Sequence, residues 1–166
     1  MDNLLGVMQG RLLPKYKNYY QTHPVGKWKD EFDLASSIKL DCIEFIFDYV
    51  EYEKNPLFYE NGYFEILEKI HNTGVLVKSI CADYFMKFHF HSTDNEIVKQ
   101  NIIILENLIK VANKISIVDI IIPLVDSSSI RSRAKLKRFT DTINALENEI
   151  EFGSVNLSLE TDLPPL

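Results

Sequence analysis

The chain has 166 residues, 46% of them hydrophobic and 25% charged, with 24 acidic against 18 basic side chains and a net charge of −6. That length suits a single domain, 1–166, and the composition excludes a disordered chain. The acidic balance argues against general nucleic-acid binding, because contact with phosphates needs a basic face.

Leu4 to Gln9 reads as the first strand. Trp28, Phe32, Ala35 and Ile38 recur at helical spacing and mark one face of a first helix. Cys42 to Phe47 is a second strand, rich in β-branched and aromatic residues. Asn61 stands where it would cap the next helix, whose Phe64, Leu67 and Ile70 are expected to face inward and which Gly74 ends. Val75 to Ala82 is a third strand. Thr93 and Glu96 have the spacing of a capping box ahead of a long helix carrying Ile97, Ile104, Leu108 and Val111. Val118 to Pro123 is a fourth strand, and Leu136, Phe139, Ile143, Leu146 and Ile150 form the stripe of a fourth helix, stopped by Gly153. Val155 to Leu159 is a fifth strand, shortly before Pro164-Pro165-Leu166.

Strict strand–helix alternation predicts an α/β fold with a parallel sheet, because a parallel crossover needs a connection of helix length. Two architectures suit the order: an open doubly wound sheet of five strands, or an incomplete TIM-barrel-like (β/α) arc, since a whole barrel takes about 250 residues. Periodicity alone favours the open sheet. The long segments after the first two strands, Gly10 to Lys27 and Asp48 to Glu60, are where barrel enzymes place their sites. The N-terminal Met1-Asp2-Asn3 lacks the basic start of a secretory leader, and no run reaches the roughly 20 apolar residues of a membrane span. A cytoplasmic protein with no membrane partner is expected. Cys42 and Cys81 lie in apolar runs and read as buried free thiols.

Polar residues gather at the C-terminal ends of the strands: Gln9 and Arg11, Asp48, Asp83, Asp126, then Glu160 and Asp162. In a parallel sheet these ends share one edge, where carboxylates can converge for proton transfer or a divalent metal. Glu44 interrupts the apolar run Cys42-Ile43-Glu44-Phe45-Ile46 and needs a partner, either a ligand or a nearby Lys or Arg. His23 lies in the first long loop, within reach of a substrate. His89 and His91 are two apart, so they form either a metal pair or part of an aromatic-anchored loop. His71, near a helix end, reads as solvated. Ser127, Ser128 and Ser129 precede Arg131 and Arg133, which suits either a bound anion or a plain serine cap with a solvated basic face. No dinucleotide or P-loop glycine motif and no nucleophile elbow is present.

Gly6-Val7-Met8-Gln9-Gly10-Arg11-Leu12 resembles the opening strand of the sugar-phosphate isomerase/epimerase family, within the xylose-isomerase-like barrel superfamily. Trp28-Lys29-Asp30-Glu31-Phe32, Ile43-Glu44-Phe45-Ile46-Phe47-Asp48, Ser79-Ile80-Cys81-Ala82-Asp83-Tyr84-Phe85-Met86 and Leu159-Glu160-Thr161-Asp162-Leu163 are similar to its first helix and its second, third and fifth strands. The resemblance implies the N-terminal portion of a (β/α)₈ barrel with a divalent metal, Mg, Mn or Zn, at its C-terminal mouth. Glu160 matches the position of a metal-ligating Glu, and the other usual ligands come from strands six to eight. Glu44 and Glu160 are then the candidate catalytic carboxylates. Gln9, Arg11, His23, Asp83, Ser128 and Arg131 are the candidate substrate contacts. The substrate implied is a small sugar or sugar phosphate. Some superfamily relatives are metal-dependent endonucleases, against which the acidic charge speaks. Because the sequence stops after the fifth strand, a truncated chain, inactive alone and binding no metal tightly, is expected. The alternative is a non-catalytic module that binds a small anion or self-associates. Open strand edges predict a homo-oligomer.

Overall fold

Five short strands pair side by side: β1 (Gly6–Met8), β2 (Cys42–Ile46), β3 (Leu76–Cys81), β4 (Asp119–Leu124) and β5 (Asn156–Thr161). They form one sheet in the order β1-β2-β3-β4-β5, and every pair is parallel. The computed structural model describes residues 3–19, 21–149 and 152–162. The expected helix residue Ile150, and Leu163 to Leu166, lie outside the described residues. Helices fill the crossovers: α1 (Trp28–Ser37), α2 (Gly62–Thr73), the short α3 (Tyr84–Lys87), α4 (Asn95–Ile115) and α5 (Arg133–Glu149). A doubly wound sheet would reverse direction, as in the order 2-1-3-4-5. Sequential order is that of a barrel arc, so the open-sheet alternative falls.

The two faces of the sheet differ in chemistry. Ile43, Phe45, Phe47, Val77, Ile80, Ile120 and Ile122 turn outward and join Phe32, Ile66, Ile104, Leu105 and Leu108 of the helices in one core. Each such side chain contributes about 1.5–3 kcal/mol by leaving water. The inner face carries Met8, Glu44, Cys81, Asp119, Ile121, Ser158 and Glu160. A bulge in β3 serves this division: Ile43 pairs with Val77 but Phe45 pairs with Ile80, so Lys78 and Ser79 together oppose Glu44. The extra residue keeps Val77 and Ile80 on the helix side, at the cost of one irregular rung.

Element ends and phases differ from the sequence reading in places. β1 and β5 run three and six residues, and Asn61 stands before α2 in a left-handed conformation with no side-chain cap. Asp94, not Thr93, caps α4, its carboxylate accepting the Glu96 N–H at 2.9 Å. Phe64 is 56% exposed while Ile66 is fully buried. The inward face of α2 runs through Ile66, with Tyr63, Leu67 and Ile70 half-buried beside it, and Phe64 lies on the far side at 100° per residue. Ile38, just beyond the end of α1, and Leu136, in the first turn of α5, are likewise exposed. Cys42 is half-buried on the inner face, whereas Cys81 is buried; both are free. Among the described residues no helix is long and apolar enough to cross a membrane.

Two glycines separate space from dihedral strain. A Cβ on Gly62 would sit 2.4 Å from the Pro56 carbonyl oxygen, whereas one on Gly74 meets nothing within 4 Å but would take a φ of +75°. Urea denaturation is expected to show Gly62→Ala losing about 3 kcal/mol by overpacking. Gly74→Ala should lose about 1–2 kcal/mol by left-handed strain. Equal losses would contradict the packing at Gly62.

Candidate functional site

The loop after β1 is held down by buried polar groups. Gln9 is fully buried. Its Oε1 accepts the Ile46 N–H at 3.1 Å and the His23 ring Nδ1–H at 3.1 Å. Gly10 turns the chain at a φ of +85° that favours glycine. The N–H groups of Gly10 and Leu12 then donate to the Glu31 carboxylate at 2.9 and 3.1 Å. Burial raises the Glu31 carboxyl above its usual range, and these backbone donors offset part of that.

Further on, Lys17 and Asn18 take positive φ at the tip of a two-residue turn that bridges Tyr16 and Tyr19. The tip is tied to the second loop: Lys17 Nζ and the Tyr16 hydroxyl both reach Glu51, at 2.5 and 2.8 Å. With Lys17 first, then Lys54 and Tyr16, these donors hold the Glu51 carboxyl down at about 2. The loop returns to the sheet at Asp48, whose Oδ2 accepts both the Thr22 hydroxyl and, at 2.8 Å, the His23 N–H.

This anchoring shapes a cavity of about 250 Å³ at the C-terminal ends of β2 and β3, lined by Tyr19, Gln21, Thr22, Asp48, Tyr49, Asp83, Met86, Lys87 and Ser127. Two nearly buried carboxylates face it. Burial pushes Asp48 above the usual carboxylate range, against the pull of Thr22, His23 and Val50. Asp83 is raised by burial too; the Cys81 thiol and the Gln21 amide lower it, and the negative charges of Asp48 and Glu160 add to the rise. Gln21 Nε2 donates to Asp83 Oδ2 at 3.1 Å, and Arg11 Nη2 donates to Gln21 Oε1 at 3.5 Å. Carboxylates that accept hydrogen bonds beside aromatic rims suit a small polyhydroxylated ligand. The cavity is smaller than the roughly 300–1,000 Å³ of drug-sized sites.

The candidate residues fall into four places. Asp83 lines the cavity, and Arg11 reaches it through Gln21. Gln9 and His23 lie together beneath the loop and do not line it. Glu44 and Glu160 face a second depression, of about 370 Å³, on the inner face. Glu44 accepts the Ser79 hydroxyl at 2.6 Å; its partner is a serine rather than a Lys or Arg. Ser128 and Arg131 stand apart from all of these. The Ser128 hydroxyl is directed at the Pro123 and Val125 carbonyls, both at 2.8 Å, and Arg131 pairs with Asp162 at 2.7 Å. His89 and His91 stack at 4.8 Å, but each ring Nε2 contacts a backbone carbonyl, of Met86 and Ser128. His71 is exposed. Sequence reasoning missed Gln21, Thr22, Glu31, Tyr19 and Tyr49, whose roles depend on how the first loop folds over the sheet.

Among the described residues no three His, Cys, Asp or Glu side chains come together as a metal-holding group. Glu160 by itself does not fit a divalent ion, which takes several oxygen or nitrogen ligands.

No protein-family model matches the chain, and no curated protein matches it. Solved structures do. A D-psicose 3-epimerase from Clostridium cellulolyticum H10, determined with D-tagatose, superposes with a TM-score of 0.67 at 15% identity over 95% of this chain and 52% of its own. An L-ribulose 3-epimerase gives 0.64 at 14% identity, covering 94% and 48%. A D-allulose 3-epimerase from Methylomonas sp. in complex with D-allulose gives 0.60 at 12% identity, covering 94% and 50%. The chain thus has the fold of a barrel arc shared with sugar epimerases and spans about half the length of each.

His23 supplies a pH test of the loop anchor. Burial lowers its pKa to about 3. The folded chain keeps the ring neutral, while the unfolded chain protonates it below about 6.5. The stability contributed by neutral His23 is therefore complete above that pH and is lost as pH falls toward 3. Urea midpoints are expected to drop between pH 7 and pH 5 in the wild type and to drop less in His23→Gln.

Proposed function

We propose that this chain binds a small uncharged sugar at the C-terminal mouth of its barrel arc, as the binding half of a sugar isomerase- or epimerase-like barrel. The observation that carries this reading is the pair of buried carboxylates, Asp48 and Asp83, facing one cavity between Tyr19 and Tyr49. Ionised carboxylates accept hydrogen bonds from sugar hydroxyls, and charge-assisted bonds of this kind are the stronger ones. The aromatic rings cover the apolar C–H faces of a sugar.

The same charges weigh against a sugar phosphate. Asp48 and Asp83 line the cavity, Glu160 adds to the local negative field, and among the described residues Lys87 is the single cation in the lining. A phosphate dianion would meet like charge there. Moving a hydrogen at a carbon beside a carbonyl needs a base and an acid. In this half Glu160, at the end of β5, is the proposed proton-transfer group, and Glu44, deeper on the inner face and bonded to Ser79, is its supporting carboxylate. A divalent ion would supply polarisation of the carbonyl oxygen, yet the described residues gather no metal-holding group around Glu160, so no step is assigned to a metal here.

Saturation-transfer NMR tests the reading. D-tagatose or D-fructose should show contacts at the tyrosines, and D-fructose 6-phosphate should not. Asp83→Asn should weaken sugar binding about tenfold or more, the loss of one hydrogen bond to a charged group. Binding of the phosphate ester in preference to the free sugars would sink the proposal.

The same substitution carries a stability signature. Because folding raises the pKa of Asp83, the charged form costs stability above that pKa, and the cost fades as pH falls. Asp83→Asn should therefore melt higher than wild type at pH 7, with the gain gone below about pH 4. Calorimetry with Mn²⁺ is expected to show weak binding at most, unchanged by Glu160→Ala.

A further inference from the structure

A cleft of about 190 Å³ lies between α3 and the N-terminal turns of α4, lined by Tyr84, Phe88, Glu96, Ile97, Gln100 and Asn101. It shares no residue with the lining of the sugar cavity. Both helices belong to the crossover from β3 to β4, in the middle of the described sheet. The cleft is therefore independent of whatever adjoins the outer strands.

Asn101 is fully buried. Its Nδ2 donates to the Phe88 carbonyl at 2.8 Å. This bond fixes the amide, because turning it over would set Oδ1 against another carbonyl oxygen. Oδ1 is thus the acceptor end, and among the described residues it has no hydrogen-bond partner. A buried acceptor is costly unless a donor meets it. Asn55 shows the ordinary case: it is equally enclosed, but its Nδ2 donates to Ile46 and its Oδ1 accepts the Leu57 N–H.

The rest of the lining says which donor fits. The Tyr84 and Phe88 rings pack at 4.8 Å, and Tyr52 meets Tyr84 edge-on at 5.2 Å. Aromatic faces are the negative ends of a quadrupole and attract cations. Glu96 adds a carboxylate, held by Lys99 at 2.7 Å in a pair exposed on both sides. Such a pair contributes little and exchanges readily. Glu53 acts on the Tyr84 hydroxyl and adds to the negative field. Among the described residues no Lys, Arg or His lines the cleft. An anion would be repelled by Glu96. A neutral alcohol would satisfy Oδ1 but gain nothing from the rings or the carboxylate. Water would leave Ile97 and Phe88 without an apolar neighbour.

We propose that this cleft binds a small organic ammonium, a primary amine on a short apolar chain. Its N–H groups donate to Asn101 Oδ1 and to the Glu96 carboxylate, and its charge and first methylenes lie against Tyr84 and Phe88. The inference does not rest on the sugar reading.

The probes are n-butylammonium, n-butanol and n-butyrate, titrated into the intact chain and followed by NMR at the Asn101 side-chain amide and the Phe88 ring. Butylammonium should shift both signals saturably and bind at least about fivefold tighter than butanol. Butyrate should shift neither. Glu96→Gln, at an exposed position, should weaken butylammonium about two- to fivefold and leave butanol unchanged. Glu106→Gln, which removes the same charge farther along α4, should change neither. Asn101→Leu should abolish butylammonium binding at the Phe88 ring; if that variant does not fold, the three probes and Glu96→Gln decide alone. No saturable shift with butylammonium, binding of butanol or butyrate as tight as that of the amine, or indifference to Glu96→Gln would overturn the proposal.

Discussion

Asp48 is the point on which the mouth of this barrel arc depends. Its carboxylate leaves β2 and enters a nearly dry environment, which disfavours its charge. Three donors compensate: the Thr22 hydroxyl, the His23 N–H and the Val50 N–H. Two of these belong to the loop after β1, so the desolvated charge and the folded loop require each other. Gln9 and Glu31 repeat the device one layer below, each giving buried oxygen to backbone donors that would otherwise be unsatisfied. The result is a long irregular segment held over the sheet largely by side-chain oxygens. Gln21 and Tyr19 owe their positions beside Asp83 to it.

Much of the architecture was legible in the residues. Short apolar runs between helical segments marked all five strands, and Gly74 ended α2 in the expected left-handed turn. Strand order was not legible, since alternation is the same in an open sheet and in a barrel arc; the motif resemblance favoured the arc. Helix phase failed at Phe64 because apolar residues lie on more than one side of α2, and at Leu136 because it sits in the first turn of α5, at the end of its apolar stripe. Thr93 and Asp94 compete for one cap, and the carboxylate took it. Of the site, Asp83 was legible from its place at a strand end. Asp48 was visible as a strand-end polar residue, without a stated task. Gln21 and Thr22 gave no signal, because a loop residue acquires its partner from segments far away in sequence.

The two faces of the sheet also explain why Glu44 looked anomalous. Read as part of an apolar run, it was a charge inside a strand. In three dimensions its neighbours Ile43 and Phe45 belong to the helix-facing core, while Glu44 belongs to a polar inner face with Ser79 and Asp119. The bulge reconciles these requirements by supplying the hydroxyl that solvates the carboxylate without disturbing the apolar register behind it.

Sequential strand order has a consequence for how the chain comes off the ribosome. Gly6 pairs with Cys42, Cys42 with Leu76, Ser79 with Asp119 and Asp119 with Asn156. Among the described residues every new strand therefore meets a partner that was synthesised one unit earlier. Domains acquire structure from the N-terminus as they are made, and local pairing lowers the entropic barrier to each step. The arc can be laid down vectorially, each emerging strand–helix unit templating the next.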